Sequence, residues 1–232
     1  MKNFRPKLNH KVLLLLAGFF PLLCSAAPSL PVGLMLNLDF QQIKDGLIPS
    51  KTLYPLYVPL GKLDTQVVNQ RNVLIINDGQ GLNIPHSSLL DPNGTTWVAS
   101  IQVVAKTDGI ILSQYNDTCG YVIYLKDGIV HATILSGASA ITLKENPENG
   151  IGSVLKKRVT IELKIGPQSA ILILNRNRVA YVPLQKPLSG KDLLIRLGEH
   201  SSVPSPLKYN PAPLTKGFTG EIRLFKMIRQ TH

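Results

Sequence analysis

The sequence predicts an all-β protein, a two-sheet antiparallel β-sandwich of the jelly-roll type. Three observations predict it. Apolar segments of strand length recur along the chain, separated by Gly, Asn and Asp turns. Several of these segments alternate apolar and polar residues with the period of two that marks a half-buried strand. Downstream of the N-terminal segment, no window has a convincing helical period.

The N-terminal segment has the layout of a secretory signal peptide. A basic stretch, residues 1–11, precedes the apolar run Val12–Leu23, and the small residues of Cys24–Ala27 follow. The apolar run is shorter than the roughly 20 residues that span a bilayer. We therefore predict cleavage after Ala26 and export of a single domain, residues 27–232, to the periplasm or the extracellular space. No transmembrane segment is expected after signal cleavage.

Two alternatives to a cleaved signal remain open. A lipid anchor on Cys24 would need a small residue in the position that Leu23 occupies. The segment could also stay uncleaved as an anchor.

The chain is basic, with a formal net charge of +11. Four of its basic residues lie in the predicted signal peptide, so the mature chain would carry +7. That charge is compatible with attraction to polyanions such as acidic glycans, lipopolysaccharide or anionic lipid, and also with a solvated surface that only aids solubility. The local basic clusters are Leu155–Arg158 and Asn175–Arg178. Aromatic residues do not interleave with them, so nucleic acid is not predicted as a partner.

Strands are predicted along the whole mature chain. The segment Val159–Ile165 alternates apolar and polar residues throughout, as a half-buried strand does. Asp127-Gly128 is the strongest short hairpin signal, and Asn175–Arg178 joins a second hairpin. Gly46–Gln70, which contains prolines, is predicted to be an irregular segment with a loop crossing one edge of the sandwich. The other predicted strands are Leu34–Asp39, Val73–Ile76, Leu82–Ile84, Trp97–Lys106, Gly109–Tyr115, Gly120–Lys126, Ile129–Ile134, Ala170–Leu174, Val179–Val182, Leu193–Leu197 and Gly220–Ile228.

Cys119 is the single cysteine of the predicted mature chain, which excludes an internal disulfide. Three settings remain open for its thiol: a buried small hydrophobe, a free surface thiol or an intermolecular link. Trp97, the only tryptophan, begins a long apolar strand and is predicted to lie in the core.

The order of the predicted elements carries a further signal. Trp97–Ile134 contains an apolar hairpin, a polar loop with an acidic residue, and a second hairpin on an Asp-Gly turn. Arg158–Val182 adds another strand pair, and Gly217–Ile228 ends the strand series with the pattern F-x-G-x-I. Together these segments resemble the laminin G-like domain of the concanavalin A-like lectin/glucanase superfamily over roughly residues 34–230. Glu221 stands near the place where the family often has a cysteine, so the family's terminal disulfide is not expected.

The resemblance implies a jelly-roll sandwich with a ligand-binding function, and it implies a calcium site at the rim. The family can hold Ca²⁺ with an Asp from the loop before the second hairpin, and Asp117 matches that position. Calcium takes about six to eight oxygen ligands, so Asp117 would need partners. Asp192 and Glu199 are the candidates for a second acidic ligand. The alternative role for Asp117 is an ordinary Asx turn.

Catalysis is not predicted. The superfamily's glucanases place paired carboxylates on one strand, and retaining glycosidases hold them about 5–5.5 Å apart. No glutamate here has an acidic residue two or four positions away along a strand; the glutamates are Glu145, Glu148, Glu162, Glu199 and Glu221. The G-x-S-x-G pattern and zinc-type His/Cys spacing are also missing from the sequence. A Cys119–His131 pair across the hairpin is conceivable, but we interpret His131 as a histidine on a strand face.

The predicted ligand site is the polar-aromatic cluster at the loop between the two hairpins, Tyr115, Asn116, Asp117 and Tyr121, with Asp117 also the predicted metal ligand. The sequence therefore predicts an exported, non-catalytic binding module that recognises a glycan or an extracytoplasmic protein at the sandwich rim, with Ca²⁺ as a candidate cofactor. A structural or assembly protein of the periplasm or cell surface is the alternative, and a glycan-active hydrolase is the third hypothesis.

Overall fold

Two antiparallel sheets pack face to face in the computed structural model, which describes residues 32–52, 56–116, 119–136, 139–146, 151–198 and 218–230. The predicted signal peptide and its cleavage site lie outside these residues, so export stays a prediction. Within the described ranges the structure has no helix with the length and hydrophobicity needed to cross a bilayer.

Sixteen strands occur among the described residues, with two short 3-10 helices at Phe40–Gln42 and Ser88–Leu90. The strands in chain order are β1 (Gly33–Leu38), β2 (Leu47–Pro49), β3 (Tyr57–Pro59), β4 (Asp64–Val68), β5 (Arg71–Ile76), β6 (Leu82–Ile84), β7 (Thr96–Ala105), β8 (Gly109–Tyr115), β9 (Cys119–Lys126), β10 (Ile129–Ser136), β11 (Ser139–Lys144), β12 (Arg158–Ile165), β13 (Ser169–Leu174), β14 (Asn177–Pro183), β15 (Leu194–Leu197) and β16 (Gly220–Gln230).

The larger sheet has the strand order β14-β13-β12-β7-β16-β5-β4, and β1 also pairs with β16. The smaller sheet has the order β11-β10-β9-β8-β15-β6, and β2 and β3 form a separate two-stranded ladder. Pairings within both main sheets are antiparallel. The predicted fold class, an all-β two-sheet sandwich, is therefore confirmed.

One hydrophobic core fills the space between the sheets, because side chains alternate between the two faces of each strand. The larger sheet contributes Trp97, Ile161 and Phe225, and the smaller sheet contributes Tyr121 and Ile123, each at most 1% exposed. Full burial of a large apolar side chain stabilises a fold by about 1.5–3 kcal/mol. The core position predicted for Trp97 is confirmed.

Both predicted hairpin turns are present. Asp127 (φ 56°) and Gly128 (φ 74°) occupy the left-handed region that a tight two-residue turn requires, and so do Asn175 (φ 48°) and Arg176 (φ 73°). The carboxylate of Asp108 accepts hydrogen bonds from the backbone N–H groups of Asp127 and Gly128, each at 2.8 Å. This anchors the first turn to the preceding hairpin.

The prediction that Gly46–Gln70 is irregular was wrong in part, because β2, β3 and β4 lie within it. Two of these strands have three residues each, with one buried side chain apiece, Ile48 and Val58. Alternation cannot be recognised over so short a length. The residues of β4 are mostly polar and exposed, and its strand conformation depends on backbone pairing with β5. Pairing of this kind is a tertiary property that local composition does not encode.

Candidate functional site

The predicted ligand loop lies at the rim of the smaller sheet, between β8 and β9. Asn116 closes it: its backbone N–H donates to the carbonyl of Cys119, and its side-chain oxygen accepts from the Cys119 N–H, both at 2.9 Å. The Asn116 amide also donates to the carbonyl of Lys191 at 3.4 Å. Asp117 and Thr118 lie outside the described residues, so the metal-ligand role of Asp117 stays a prediction.

The two tyrosines of the predicted cluster do not share a surface. Tyr121 is fully buried in the core near Trp97, whereas Tyr115 packs with Val122 and Tyr124 on the outer face of the smaller sheet. Burial raises the pKa of the Tyr121 phenol well above its usual range, and a contact with Trp97 acts in the opposite direction. A phenol enclosed in this way cannot contact a ligand at the rim. The structure therefore does not support the contact predicted for Tyr121, because its alternation in β9 points it inward.

Cys119 is buried, which is the first of the three predicted settings. Its thiol donates to the carbonyl of Ser189 at 3.1 Å, and burial raises its pKa. In the β9–β10 ladder Cys119 is opposite Ser136, whereas His131 is opposite Tyr124. His131 and Cys119 are therefore separated along the hairpin and do not form a nucleophile–base pair.

His131 instead stacks on the ring of Tyr124, with the ring centroids 5.0 Å apart. Burial, together with the positive charges of Lys144 and Lys126, lowers its pKa. The interpretation of His131 as a histidine on a strand face is confirmed.

A second group of polar residues lies beside the rim loop. His86 Nε2 is 3.2 Å from Asp91 Oδ2 and 3.6 Å from Asp192 Oδ1. The Asp91 carboxylate also accepts the backbone N–H groups of Asp192 and Leu193, at 3.0 and 3.2 Å. These contacts join the segment before β7 to the segment before β15.

The three side chains of this group could hold a divalent metal, since their ligand atoms lie within 4.8 Å of one another. The donor set is one imidazole and two carboxylates, which suits transition metals better than calcium. Calcium needs about six to eight oxygens, and His86 supplies none. Asp192 was one of the two candidates for a second calcium ligand, and the other, Glu199, lies outside the described residues. His86, Asp91 and Asp192 therefore do not by themselves form a calcium site.

A polar surface missed by the sequence prediction covers the outer face of the larger sheet. Register places Gln102 of β7 between Thr160 of β12 and Leu224 of β16, and it places Ser100 between Glu162 and Lys226. Outward side chains interact across the ladder. Ser100 donates to the Glu162 carboxylate at 3.1 Å, and the Gln102 amide donates to the Thr160 hydroxyl at 3.2 Å.

An open cleft of about 730 Å³ lies over these side chains, and we call it the β7–β12–β16 cleft. It is lined by Ser100, Gln102, Arg158, Thr160, Glu162, Asn175, Arg176, Leu224, Lys226 and Ile228. A neighbouring cleft of about 720 Å³ shares Gln102, Arg158 and Leu224 with it and extends toward the turn between β4 and β5. In the sequence, this surface was signalled by the polar positions of the alternating strand Val159–Ile165 and by the two local basic clusters.

The β7–β12–β16 cleft is built for hydrogen bonding. Its described lining combines amide, hydroxyl, guanidinium, ammonium and carboxylate groups. Glu162 is the one carboxylate among the described residues that line it, whereas the known two-carboxylate glycosidases need a pair. The arrangement can bind a polar ligand, and its described lining residues do not pair two carboxyl groups.

Comparison with solved structures supports the same fold. The chain is similar to the binding domain of botulinum neurotoxin serotype G, with a TM-score of 0.63 and 12% identity over 86% of this chain and 48% of that one. It is also similar to the receptor binding domain of the botulinum neurotoxin C/D mosaic serotype, with a TM-score of 0.61, 12% identity and the same coverages, 86% and 48%.

A third similar structure is the binding domain of botulinum neurotoxin DC in complex with SialylT, with a TM-score of 0.54 and 11% identity over 86% of this chain and 48% of that one. The chain thus spans about half the length of these structures. No protein-family model matches the sequence, and no curated protein matches it significantly. At such low identities the likeness shows a shared fold alone, and it is compatible with the laminin G-like resemblance.

Proposed function

We propose that this protein is an exported, non-catalytic binding module that recognises carbohydrate through the β7–β12–β16 cleft. The observation that carries the proposal is the row of hydrogen-bonding side chains on its floor, Gln102 with Thr160 and Ser100 with Glu162. Planar amide and carboxylate groups bind the vicinal hydroxyls of sugars with directional hydrogen bonds. The signal-like N-terminal segment supports export.

The structural neighbours add support of a coarser kind. One is a receptor binding domain, another is in complex with SialylT, and cell entry of the similar botulinum neurotoxin type C depends on interaction with two ganglioside molecules. These ligands belong to proteins about twice as long as the aligned region. We therefore take from them the class of function, a binding sandwich, and take the position of the site from the cleft.

A glycan array tests the proposal and also distinguishes the cleft from the predicted rim site. Wild-type protein is compared with Gln102→Leu in the cleft, Asp117→Asn at the rim, and Gln185→Leu, an exposed control outside the cleft. Loss of binding in Gln102→Leu alone supports the cleft, and loss in Asp117→Asn alone moves the site to the rim. Failure of the wild-type protein to bind any glycan would overturn the proposal.

Assembly with other proteins is the second candidate function. Strand β4 ends the larger sheet, and Val67 on it is 67% exposed. An exposed edge strand can pair with a strand of another chain. Sedimentation of the wild-type protein and of a Thr65→Pro variant tests this candidate. A tight oligomer that dissociates in the variant, in a protein that binds no glycan, would favour assembly over carbohydrate recognition.

A further inference from the structure

The two basic clusters of the sequence meet at the β7–β12–β16 cleft. Arg158 begins β12, and Arg176 lies in the turn between β13 and β14. Asn175 joins these segments, because its N–H donates to the Thr160 carbonyl and its side-chain oxygen accepts from the Thr160 N–H, both at 2.9 Å. Both arginines are exposed and line the same cleft.

A third cation comes from β16. Lys226 is opposite Ser100, and Ser100 is opposite Glu162, so Lys226 lies on the other side of β7 from β12. Within the described residues, Arg158, Arg176 and Lys226 have no ion-pair partner. Glu162, the one carboxylate among the described lining residues, accepts a hydrogen bond from Ser100. The cleft therefore carries an excess of positive charge.

The neighbouring cleft continues this charge pattern. Arg158 lines both clefts, and Arg71 lines the second. The acidic group in the second cleft, Asp39, forms an ion pair with Lys51 at 3.1 Å. Arg223 also lines the second cleft, and it forms an ion pair with Glu221 at 2.8 Å. The other arginines that line the two clefts have no ion-pair partner among the described residues, so the joined surface suits a ligand of several residues with repeated negative groups.

We infer that the carbohydrate ligand of this surface is an acidic oligosaccharide, whose carboxylate or sulfate groups pair with Arg158 and Arg176. This inference rests on the proposed function and specifies its ligand class. A guanidinium group presents two parallel N–H donors that match the oxygens of such groups. Neutral sugars would leave the three cations unpaired and would gain only hydrogen bonds from the cleft floor.

The test measures the affinity of the wild-type protein for an oligogalacturonate hexamer and for its neutral methyl ester, by isothermal titration calorimetry. The variants are Arg158→Gln, Arg176→Gln and the double variant. Lys186→Gln, an exposed cation outside both clefts, is the matched control for net charge. Thermal unfolding verifies that each variant folds. Because both arginines are exposed, we expect little change in melting temperature.

We expect the acidic hexamer to bind, the ester to bind at least about tenfold more weakly, and each arginine variant to lose about three- to tenfold in affinity. Binding should weaken between about 0.05 M and about 0.5 M salt, because salt screens exposed charges. The control should retain the wild-type affinity.

Equal binding of the hexamer and its ester, with no effect of the arginine variants, would overturn this inference and leave the proposed function intact. Binding of neither the hexamer nor its ester would also overturn this inference, whereas the glycan array decides the proposed function separately. An equal loss of affinity in Lys186→Gln would mean that the net charge of the protein, and not this cleft, attracts the hexamer. Binding to phosphatidylglycerol vesicles, with none to the hexamer, would replace the oligosaccharide with a membrane surface and would also overturn the inference.

Discussion

The guanidinium carbon of Arg229 lies 5.0 Å from the centroid of the Trp97 ring, inside the sandwich core. The two residues are directly opposite each other on β16 and β7, and each is 1% exposed. Arg229 also donates to the backbone carbonyls of Leu89, at 2.8 Å, and Asp91, at 3.3 Å. The buried cation therefore connects the core to the segment that supports the His86 and Asp91 contact.

Arg229→Met should destabilise the protein by about 2–4 kcal/mol, because it removes the donor to buried carbonyl groups as well as the contact with Trp97. Arg178→Met is the matched control, since Arg178 lies 4.6 Å from the ring of the exposed Tyr181. A surface contact of that kind is worth about 1 kcal/mol or less. Urea unfolding measures both variants. An equal loss of unfolding free energy in the two variants would mean that the buried contacts of Arg229 add no more stability than the surface contact of Arg178.

Gly120→Ala should destabilise the rim loop strongly. Gly120 has φ 138°, and a Cβ there would overlap the Gln114 carbonyl oxygen and the Cα of Tyr115. Gly46→Ala is the control, because Gly46 also has a positive φ, 73°, but open space around it. We expect about 1 kcal/mol for backbone strain in the control and about 3–5 kcal/mol for Gly120→Ala. Thermal unfolding that ranks the two variants equally would contradict the crowding seen at Gly120.

Stability at alkaline pH should depend on Tyr121. Burial raises its pKa, so the folded protein keeps the phenol proton at pH values where the unfolded chain, with an ordinary pKa of about 10, releases it. The stability linked to this proton is fully present below about pH 10 and falls above it by about 1.4 kcal/mol per pH unit.

Tyr121→Phe removes this dependence. From about pH 10 to about pH 11, the unfolding free energy of the wild-type protein should therefore fall relative to that of Tyr121→Phe. Tyr181→Phe, at a residue that is 52% exposed, is the matched control for the removal of a phenol hydroxyl. A constant difference for Tyr121→Phe across this range would contradict the predicted shift.

Calcium dependence remains to be tested through Asp117. If Asp117 and Asp192 share an ion, Ca²⁺ should raise the melting temperature of the wild-type protein relative to a chelator, because an ion that binds only the folded state stabilises it. Asp117→Asn and Asp192→Asn should each remove most of that increase. His86→Ala should leave it intact, since an imidazole is a poor calcium ligand. If Ca²⁺ does not raise the melting temperature of the wild-type protein, the calcium hypothesis is wrong. An increase in melting temperature with Zn²⁺ that is lost in His86→Ala would favour a transition metal instead.

Strand positions were largely predictable because alternation and turn residues are local signals. The hairpin on Asp127-Gly128 and the alternating strand Val159–Ile165 are present with nearly the predicted bounds. Segments without these signals were missed, namely β2, β3, β4 and the edge strand β11. Short or polar strands gain their conformation from pairing with a neighbour, which a single segment does not reveal.

The candidate site was less predictable than the fold. Proximity in sequence grouped Tyr121 with Tyr115 and Asn116, but the alternation of β9 turns Tyr121 into the core. The β7–β12–β16 cleft combines residues from β7, β12, β16 and the turn at Arg176, and no local motif marks such a set. Asp192 was considered as a metal ligand without its partners, His86 and Asp91, which long-range contacts supply.

The fold class follows from local sequence patterns, because alternating apolar residues between Gly, Asn and Asp turns favour paired strands with one buried face. The sequence also determined that Trp97 is buried and that the basic residues fall into two clusters. Which strands are neighbours became known from the three-dimensional structure. Because strand order and register set which outward side chains meet, they placed Arg158, Arg176 and Lys226 around one cleft and separated Tyr121 from the rim.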